Sequence, residues 1–183
     1  MEISEILSLG LDALSTTIAA SDTISKLAPR RKCNIHIANS SKCYVLQNPE
    51  GRCVDPPPPR LPSSSSGSAA FAKTPCTGRG FSGVCTYELL DDSTQKATEH
   101  MAIFFKVRYD LNLNSNEYAV GVFDINRERK SSLFEELSRS GGTTFTKSQA
   151  NGSSLTHTSQ NVTIKATMSN NYDSVVKVHL SDK

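Results

Sequence analysis

Tryptophan is absent from the 183 residues of this chain, and aromatic residues make up only 7% of it. No run of about 18 apolar residues occurs, which excludes an ordinary transmembrane helix. The formal net charge of +2 gives no reason to expect a nucleic-acid partner, which would require a concentrated basic face. Ser, Thr and Asn are abundant instead, a composition typical of an antiparallel β-protein with many polar turns.

A secretory signal peptide is not evident at the N-terminus. Glu2 and Glu5 stand where such a peptide has a basic region ahead of an apolar core. We therefore expect a protein that is made in soluble form. Release from the cell would then need an unconventional route, lysis or a longer precursor, and storage in the cytosol is the alternative.

Cysteine and histidine show no spacing that indicates a metal or catalytic site. The five cysteines are Cys33, Cys43, Cys53, Cys76 and Cys85. They form no Cys-x-x-Cys motif, so we favour reduced thiols, with a disulfide between Cys53 and Cys76 as the alternative. The four histidines lie far apart. We expect no cofactor, no metal and no enzymatic activity.

Residues 2–28 are the best candidate for a helix. Five apolar side chains recur at helical spacing and form one stripe: Ile3, Leu7, Leu11, Leu14 and Ile18. The opposite face is built largely from Ser and Thr. A continuous helix over this segment would be about 40 Å long, more than the roughly 30 Å hydrocarbon core of a bilayer. Two interpretations follow: a helix packed on the side of a β-domain, or a helix that lines a membrane pore.

Residues 100–124 predict a β-hairpin. Apolar residues form a run over residues 101–105 and then alternate from Tyr118 to Val122, which is the period of a strand. The Asn- and Asp-rich residues 110–116 between them favour a turn, because these side chains bond their own backbone.

Similar alternation recurs along the chain from residue 33, with most turn signals eight to twelve residues apart. Residues 127–139 predict a second helix, which ends before Gly141 and Gly142. The chain is therefore predicted to be mainly β: a β-sandwich of about ten strands flanked by two α-helices.

Residues 78–83 fit the dinucleotide-binding pattern Gly-x-Gly-x-x-Gly. That pattern needs a strand before it and a helix after it, whereas Val84 and the residues that follow continue as a strand. We therefore assign these glycines to a tight turn.

Four segments of the chain carry motifs that occur together in one protein family. Residues 105–116 read Phe-x-Val-x-Tyr-Asp-x-Asn-x-x-x-Asn, residues 83–87 read Gly-Val-Cys-Thr-Tyr, and residues 133–137 read Leu-Phe-Glu-Glu-Leu. Residues 30–32 are basic and follow the amphipathic N-terminal segment, as a hinge would. These segments resemble the most recognisable segment, the Gly-Val-x-x-Tyr strand, the Met-Tyr-Glu-Glu-Leu helix and the N-terminus of the actinoporins, the cytolysins of sea anemones and their vertebrate, fish-type relatives.

The resemblance implies a pore-forming, hemolytic cytolysin that acts outside the cell, at a target membrane. In such a protein a soluble monomer binds a sphingomyelin or other phosphocholine headgroup and assembles a homo-oligomer in the membrane. Residues 1–28 would insert as the pore-lining helix and conduct cations. Residues 29–183 would form the membrane-binding β-sandwich.

Carried over by position, the resemblance also implies a headgroup site. Its members are Val84, Lys106, Arg108, Asn114, Phe134, Ser138 and Arg139. Val84 matches the family and Phe134 replaces a tyrosine, but most of the family's aromatic cluster is missing. We therefore expect a changed preference, for an anionic headgroup or a glycan.

Tyr109 and Tyr118 are the candidate residues for the membrane interface, and turn chemistry and core packing are the competing interpretation. A different class of function also stays open. Fungal fruit-body lectins resemble actinoporins in fold, so a non-lytic module that binds lipid or carbohydrate is the alternative to a pore.

Overall fold

The computed structural model describes residues 31–73, 79–139 and 141–183, and within them the chain forms eleven strands and one helix. The strands are β1 (Lys32–Asn39), β2 (Tyr44–Glu50), β3 (Arg60–Leu61), β4 (Ser65–Ala72), β5 (Phe81–Asp91), β6 (Lys96–Val107), β7 (Glu117–Asp124), β8 (Phe145–Gln149), β9 (Leu155–Thr158), β10 (Val162–Met168) and β11 (Asp173–Asp182). The helix is α1 (Ser131–Ser138).

The strands form two sheets. Sheet A has the order β4-β1-β11-β10-β9, and sheet B has the order β3-β2-β5-β6-β7-β8. All pairings are antiparallel except that of β1 with β11, which is parallel. The first and last described strands therefore lie side by side in the middle of sheet A.

The main core lies between the two sheets. Alternate residues of each strand point into it, as the period of two requires. Ile35 and Ile37 enter it from β1, and Tyr87, Ile103 and Phe105 enter it from sheet B, all of them buried. Burial of each large apolar side chain contributes about 1.5–3 kcal/mol to stability, so this layer holds the sheets together.

A second, smaller core lies on the outer face of sheet B, under α1. Leu133 and Leu137 of α1 pack there on Ala102, Phe104 and Ala119 of the sheet. The centre of β6 is therefore buried on both faces. This burial explains why residues 101–105 are apolar without alternation.

The predicted hairpin is confirmed, because β6 and β7 pair antiparallel and residues 108–116 connect them. The predicted helix over residues 127–139 is shorter than expected. The chain turns first, with the backbone N–H of Arg127 bonded to the carbonyl of Asp124, and α1 begins only at Ser131.

The other predicted helix, over residues 2–28, lies outside the described residues. No described helix has the length and apolar character to span a membrane.

Cys33 and Cys85 are buried free thiols, and burial raises the pKa of Cys85 to about 12. This agrees with the favoured interpretation of reduced cysteines. The alternative pairing of Cys53 with Cys76 involves a residue outside the described ranges.

Candidate functional site

A wide groove lies beside the first residues of β5. Its walls are the end of β4, the end of β2 with the two residues that follow it, residues 81–84 of β5, and lining residues between 128 and 135, which include the start of α1. Its volume is about 1290 Å³, which is ample for a lipid headgroup. We call it the β5 groove.

Four phenylalanines line the β5 groove: Phe71, Phe81, Phe105 and Phe134. Phe105 is fully buried and meets Phe71 and Phe81 edge-on, with ring centroids 4.9 and 5.5 Å away. Phe134 and Phe81 are only partly buried, which leaves ring surface for a ligand. Ring faces of this kind attract a quaternary ammonium group.

Gly83 makes the close packing of these rings possible. A Cβ atom at this position would lie 2.7 Å from the ring of Phe105. The assignment of Gly83 to a tight turn is wrong, because this residue lies within β5 and serves ring packing, whereas the predicted continuation of the strand beyond it is confirmed.

The groove also carries charges of both signs. Arg129 is held by Glu88 and lies 3.5 Å from Glu50, so its charge is already balanced. Burial opposes ionisation of Glu88, but hydrogen bonds from Asn48 and Arg129 outweigh it and hold the pKa of this carboxyl below its ordinary value.

Two further basic residues of the groove, Arg52 and Lys130, are exposed. They take part in none of the ion pairs formed within the described ranges. They are therefore the cations best placed for the phosphate of a zwitterionic headgroup.

Of the predicted headgroup residues, the structure brings Val84 and Phe134 together, and both line the β5 groove. Lys106 lies next to the groove, because it pairs across the sheet with Ser82. The remaining four predicted residues lie outside its lining: Arg108, Asn114, Ser138 and Arg139. Arg139 is exposed and sits 3.8 Å from Glu135, one helical turn earlier.

Arg108 was predicted as a possible phosphate ligand, and the structure assigns it another role. Its guanidinium forms an ion pair with Glu117, and Lys147 Nζ lies 3.4 Å from the same carboxylate. Burial opposes ionisation of Glu117, but these two cations outweigh it and hold its pKa below the ordinary value. Lys147 also donates to the carbonyl of Ser138, so this network secures the end of α1.

The prediction that Tyr118 lies at a membrane interface is wrong. Its side chain is fully buried, and its hydroxyl donates to the carbonyl of Ser153 at 3.0 Å. A residue of β7 that points into the core between the sheets cannot reach a bilayer while the fold is intact. Tyr109 differs, because 53% of it is exposed.

Leu113 is a surface residue that the sequence analysis did not single out. It lies near the tip of the connection between β6 and β7, residues 108–116, and 77% of it is exposed. The sequence could have indicated this residue, because Leu113 is an apolar residue between Asn112 and Asn114 in a turn that is otherwise rich in polar residues. We call residues 108–116 the β6–β7 loop.

The base of the β6–β7 loop is rigid because of Asn116, which is fully buried. Its side-chain oxygen accepts from the backbone N–H of Arg108 at 2.9 Å, and its side-chain nitrogen donates to the carbonyls of Ser169 and Asn171 at 3.2 and 2.9 Å. The amide thus ties sheet B to the turn between β10 and β11 of sheet A. The predicted turn chemistry is confirmed at Asp110, whose side-chain oxygen accepts from the backbone N–H of Asn112 at 2.9 Å, whereas the bonds of Asn116 are long-range.

Basic side chains cluster at the base of the same loop. The guanidinium of Arg31 lies 4.6 Å from the ring centroid of Tyr109 and 5.0 Å from that of Tyr172. Arg31 also donates to the carbonyl of Tyr109 at 2.6 Å. Lys73 Nζ lies 5.9 Å from the ring centroid of Tyr109, and burial and the charge of Arg31 lower its pKa.

Comparison with protein-family models and with curated proteins found no match. Among solved structures, the chain is similar to the lipid-binding protein Nakanori, with a TM-score of 0.62 and 8% identity over 91% of this chain and 78% of that one. Wild-type lectin XCL of Xerocomus chrysenteron has a TM-score of 0.43 and 6% identity over 82% of this chain and 99% of that one. At such identities the first match shows a shared fold, the two-sheet β-sandwich.

We expect the substitution Asn116→Asp to destabilise the protein by about 3 kcal/mol, because a carboxylate would face two carbonyl oxygens and could not donate to them. Urea unfolding measures this change. Asn114→Asp, in the exposed part of the same loop, is the matched control and should change stability by less than about 0.5 kcal/mol. Equal effects of the two substitutions would contradict the role assigned to Asn116.

Proposed function

We propose that this protein binds a membrane lipid through the β5 groove and the β6–β7 loop, and that it is a pore-forming protein of the actinoporin type. The observation that carries this proposal is that both features lie at one end of the sandwich. Phe81, the first residue of β5, pairs with Val107, the last residue of β6, and the β6–β7 loop begins directly after it. The fold shared with a lipid-binding protein supports the proposal.

The β5 groove suits the two charges of a phosphocholine headgroup. The ammonium group would lie against the partly buried rings of Phe81 and Phe134, beside Val84. The phosphate would meet Arg52 or Lys130. Since two accessible rings form a weaker cage than a full aromatic cluster, the basic residues carry more of the recognition, and acidic lipid should strengthen binding.

The β6–β7 loop would supply the apolar contact with the bilayer. Leu113 and Tyr109 are two of the three exposed large hydrophobic residues in the described part of the chain. Transfer of a leucine side chain out of water is worth about 1.5–3 kcal/mol. Arg31 and Lys73 stand at the base of the loop, where they would meet the phosphate layer.

The pore itself would come from residues 1–28. Their stripe of Ile3, Leu7, Leu11, Leu14 and Ile18 would face lipid, and the Ser- and Thr-rich face would stay hydrated in the lumen. Several copies bound to one membrane would each contribute one such helix to a cation-permeable channel.

Leu113→Ser should weaken binding to sphingomyelin-containing vesicles about tenfold or more, because the loop then loses its apolar contact. Co-sedimentation with vesicles measures the affinity. Val54→Ser is the matched control, since Val54 is 69% exposed but lies outside the loop. A loss of similar size in both variants would show that general hydrophobicity, and not this loop, governs docking.

Replacement of both Phe81 and Phe134 by leucine should lower affinity for sphingomyelin vesicles about tenfold, since two cation–π contacts are lost while the apolar volume is kept. Phe123→Leu is the control, because Phe123 belongs to the core under α1 but does not line the β5 groove. Binding to acidic vesicles should fall less. Unchanged binding in the double variant, or binding to free sugars without lipid, would favour the non-lytic lectin-like alternative.

Leu7→Asp combined with Leu14→Asp should abolish dye release from vesicles and leave vesicle binding intact, because a charge in the lipid-facing stripe costs about 2.5–3.5 kcal/mol at the bilayer centre. Ser8→Asp combined with Ser15→Asp places the same charges one residue later, on the hydrated face, and should leave release largely unchanged. Dye release by the variant with Leu7→Asp and Leu14→Asp would reject the pore mechanism. A lack of dye release by the unaltered chain would reject it as well.

A further inference from the structure

A second recess lies on the outer face of sheet A. It has a volume of about 580 Å³ and is lined by residues of β1, β4, β10 and β11, together with Ser154. The one helix in the described part of the chain packs on sheet B, so this face of sheet A carries no helix from that part. We call this recess the sheet A pocket.

Strand register brings four basic side chains together in the sheet A pocket. His36 of β1 lies beside Lys177 of β11, and His179 of β11 lies beside Lys165 of β10. Neighbouring strands are about 4.8 Å apart, and residues two apart along one strand about 6.6 Å, so all four side chains surround one small area. His179 is oriented by a 2.8 Å hydrogen bond between its Nε2 atom and the hydroxyl of Ser40.

The lining of the sheet A pocket contains no Asp or Glu. Within the described ranges, none of the ion pairs includes any of these four residues. Lys165 and Lys177 are diagonal neighbours on adjacent strands, and like charges this close together on a sheet repel each other. An anion bound between the lysines would relieve that repulsion.

Hydroxyl groups complete the sheet A pocket. Ser66 and Ser68 of β4 lie in register with Ala38 and His36, and Thr167 of β10 lies in register with Lys177. We propose that this pocket is a second binding site, which takes a sugar-sized ligand bearing a phosphate or sulfate ester. The lysines pair with the ester group, and the hydroxyls bond the sugar.

The position of the sheet A pocket selects a soluble ligand over a lipid headgroup. β1 begins at Lys32, whose backbone N–H donates to the carbonyl of Tyr172 near the β6–β7 loop. His36 lies about 13 Å further along the strand, and on the sheet opposite the β5 groove. The choice of a soluble ligand over a lipid headgroup rests on the proposed function, because it assumes which end of the protein faces the membrane. The proposal that the pocket binds an anionic sugar does not depend on that assumption.

The test is an NMR titration of the full ¹⁵N-labelled chain, without lipid, with galactose 6-sulfate, galactose 6-phosphate, galactose and inorganic phosphate. The two esters should shift the amides of Lys165, Thr167 and Lys177. Lys165→Gln combined with Lys177→Gln should weaken ester binding at least tenfold. Lys32→Gln combined with Lys96→Gln removes the same charge from exposed strand positions outside the pocket and should change affinity less than twofold.

Four outcomes would overturn the proposal. These are amide shifts outside the sheet A pocket, an equal loss of ester affinity in the control pair, an affinity for unmodified galactose equal to that for the esters, and an affinity for inorganic phosphate equal to that for the esters.

An unfolding midpoint no lower than that of the unaltered protein confirms that the variant with both pocket lysines replaced is folded. Stronger binding to vesicles carrying a phosphoinositide, lost in the lysine variant, would overturn the assignment of a soluble ligand. Because the titration contains no lipid, its result is independent of the lipid-binding proposal.

Discussion

The buried amide of Asn116 is the interaction on which the candidate lipid-binding end depends. It bonds the backbone of sheet B at Arg108 and the backbone of sheet A at Ser169 and Asn171. The apolar core supplies most of the stability, but it is non-directional and does not fix how a loop leaves a sheet. Asn116 provides that direction, and the exposed Leu113 is presented from a rigid base as a result.

The two sheets use their outer faces differently. Sheet B is covered by α1, so β6 is apolar on both faces, and Phe134 of α1 adds a ring to the β5 groove. Sheet A keeps a polar outer face, where strand register gathers lysine and histidine side chains. The β5 groove therefore combines rings with cations, whereas the sheet A pocket combines cations with hydroxyl groups.

Part of the candidate site was predictable from the sequence. Val84 and Phe134 both line the β5 groove, because the strand and helix motifs that suggested them are local patterns. The interface role of Tyr118 is wrong, because its alternation with Val120 and Val122 puts it on an apolar face of β7, and that face points to the core. The ion pair of Arg108 was not predictable, because its partner Glu117 is nine residues away in sequence and is brought close only by the hairpin, and its contact with a phosphate stays a prediction.

Local patterns in the sequence were enough to predict the mainly β class, the hairpin around residues 110–116 and its turn, because these depend on side-chain period and on local hydrogen bonding, as at Asp110. Only the tertiary structure decided which residues meet across strands far apart in sequence. The ring cluster of Phe71, Phe81 and Phe105 joins three strands, and the four basic residues of the sheet A pocket join three strands as well. Such contacts follow from sheet order and register, which no local pattern encodes.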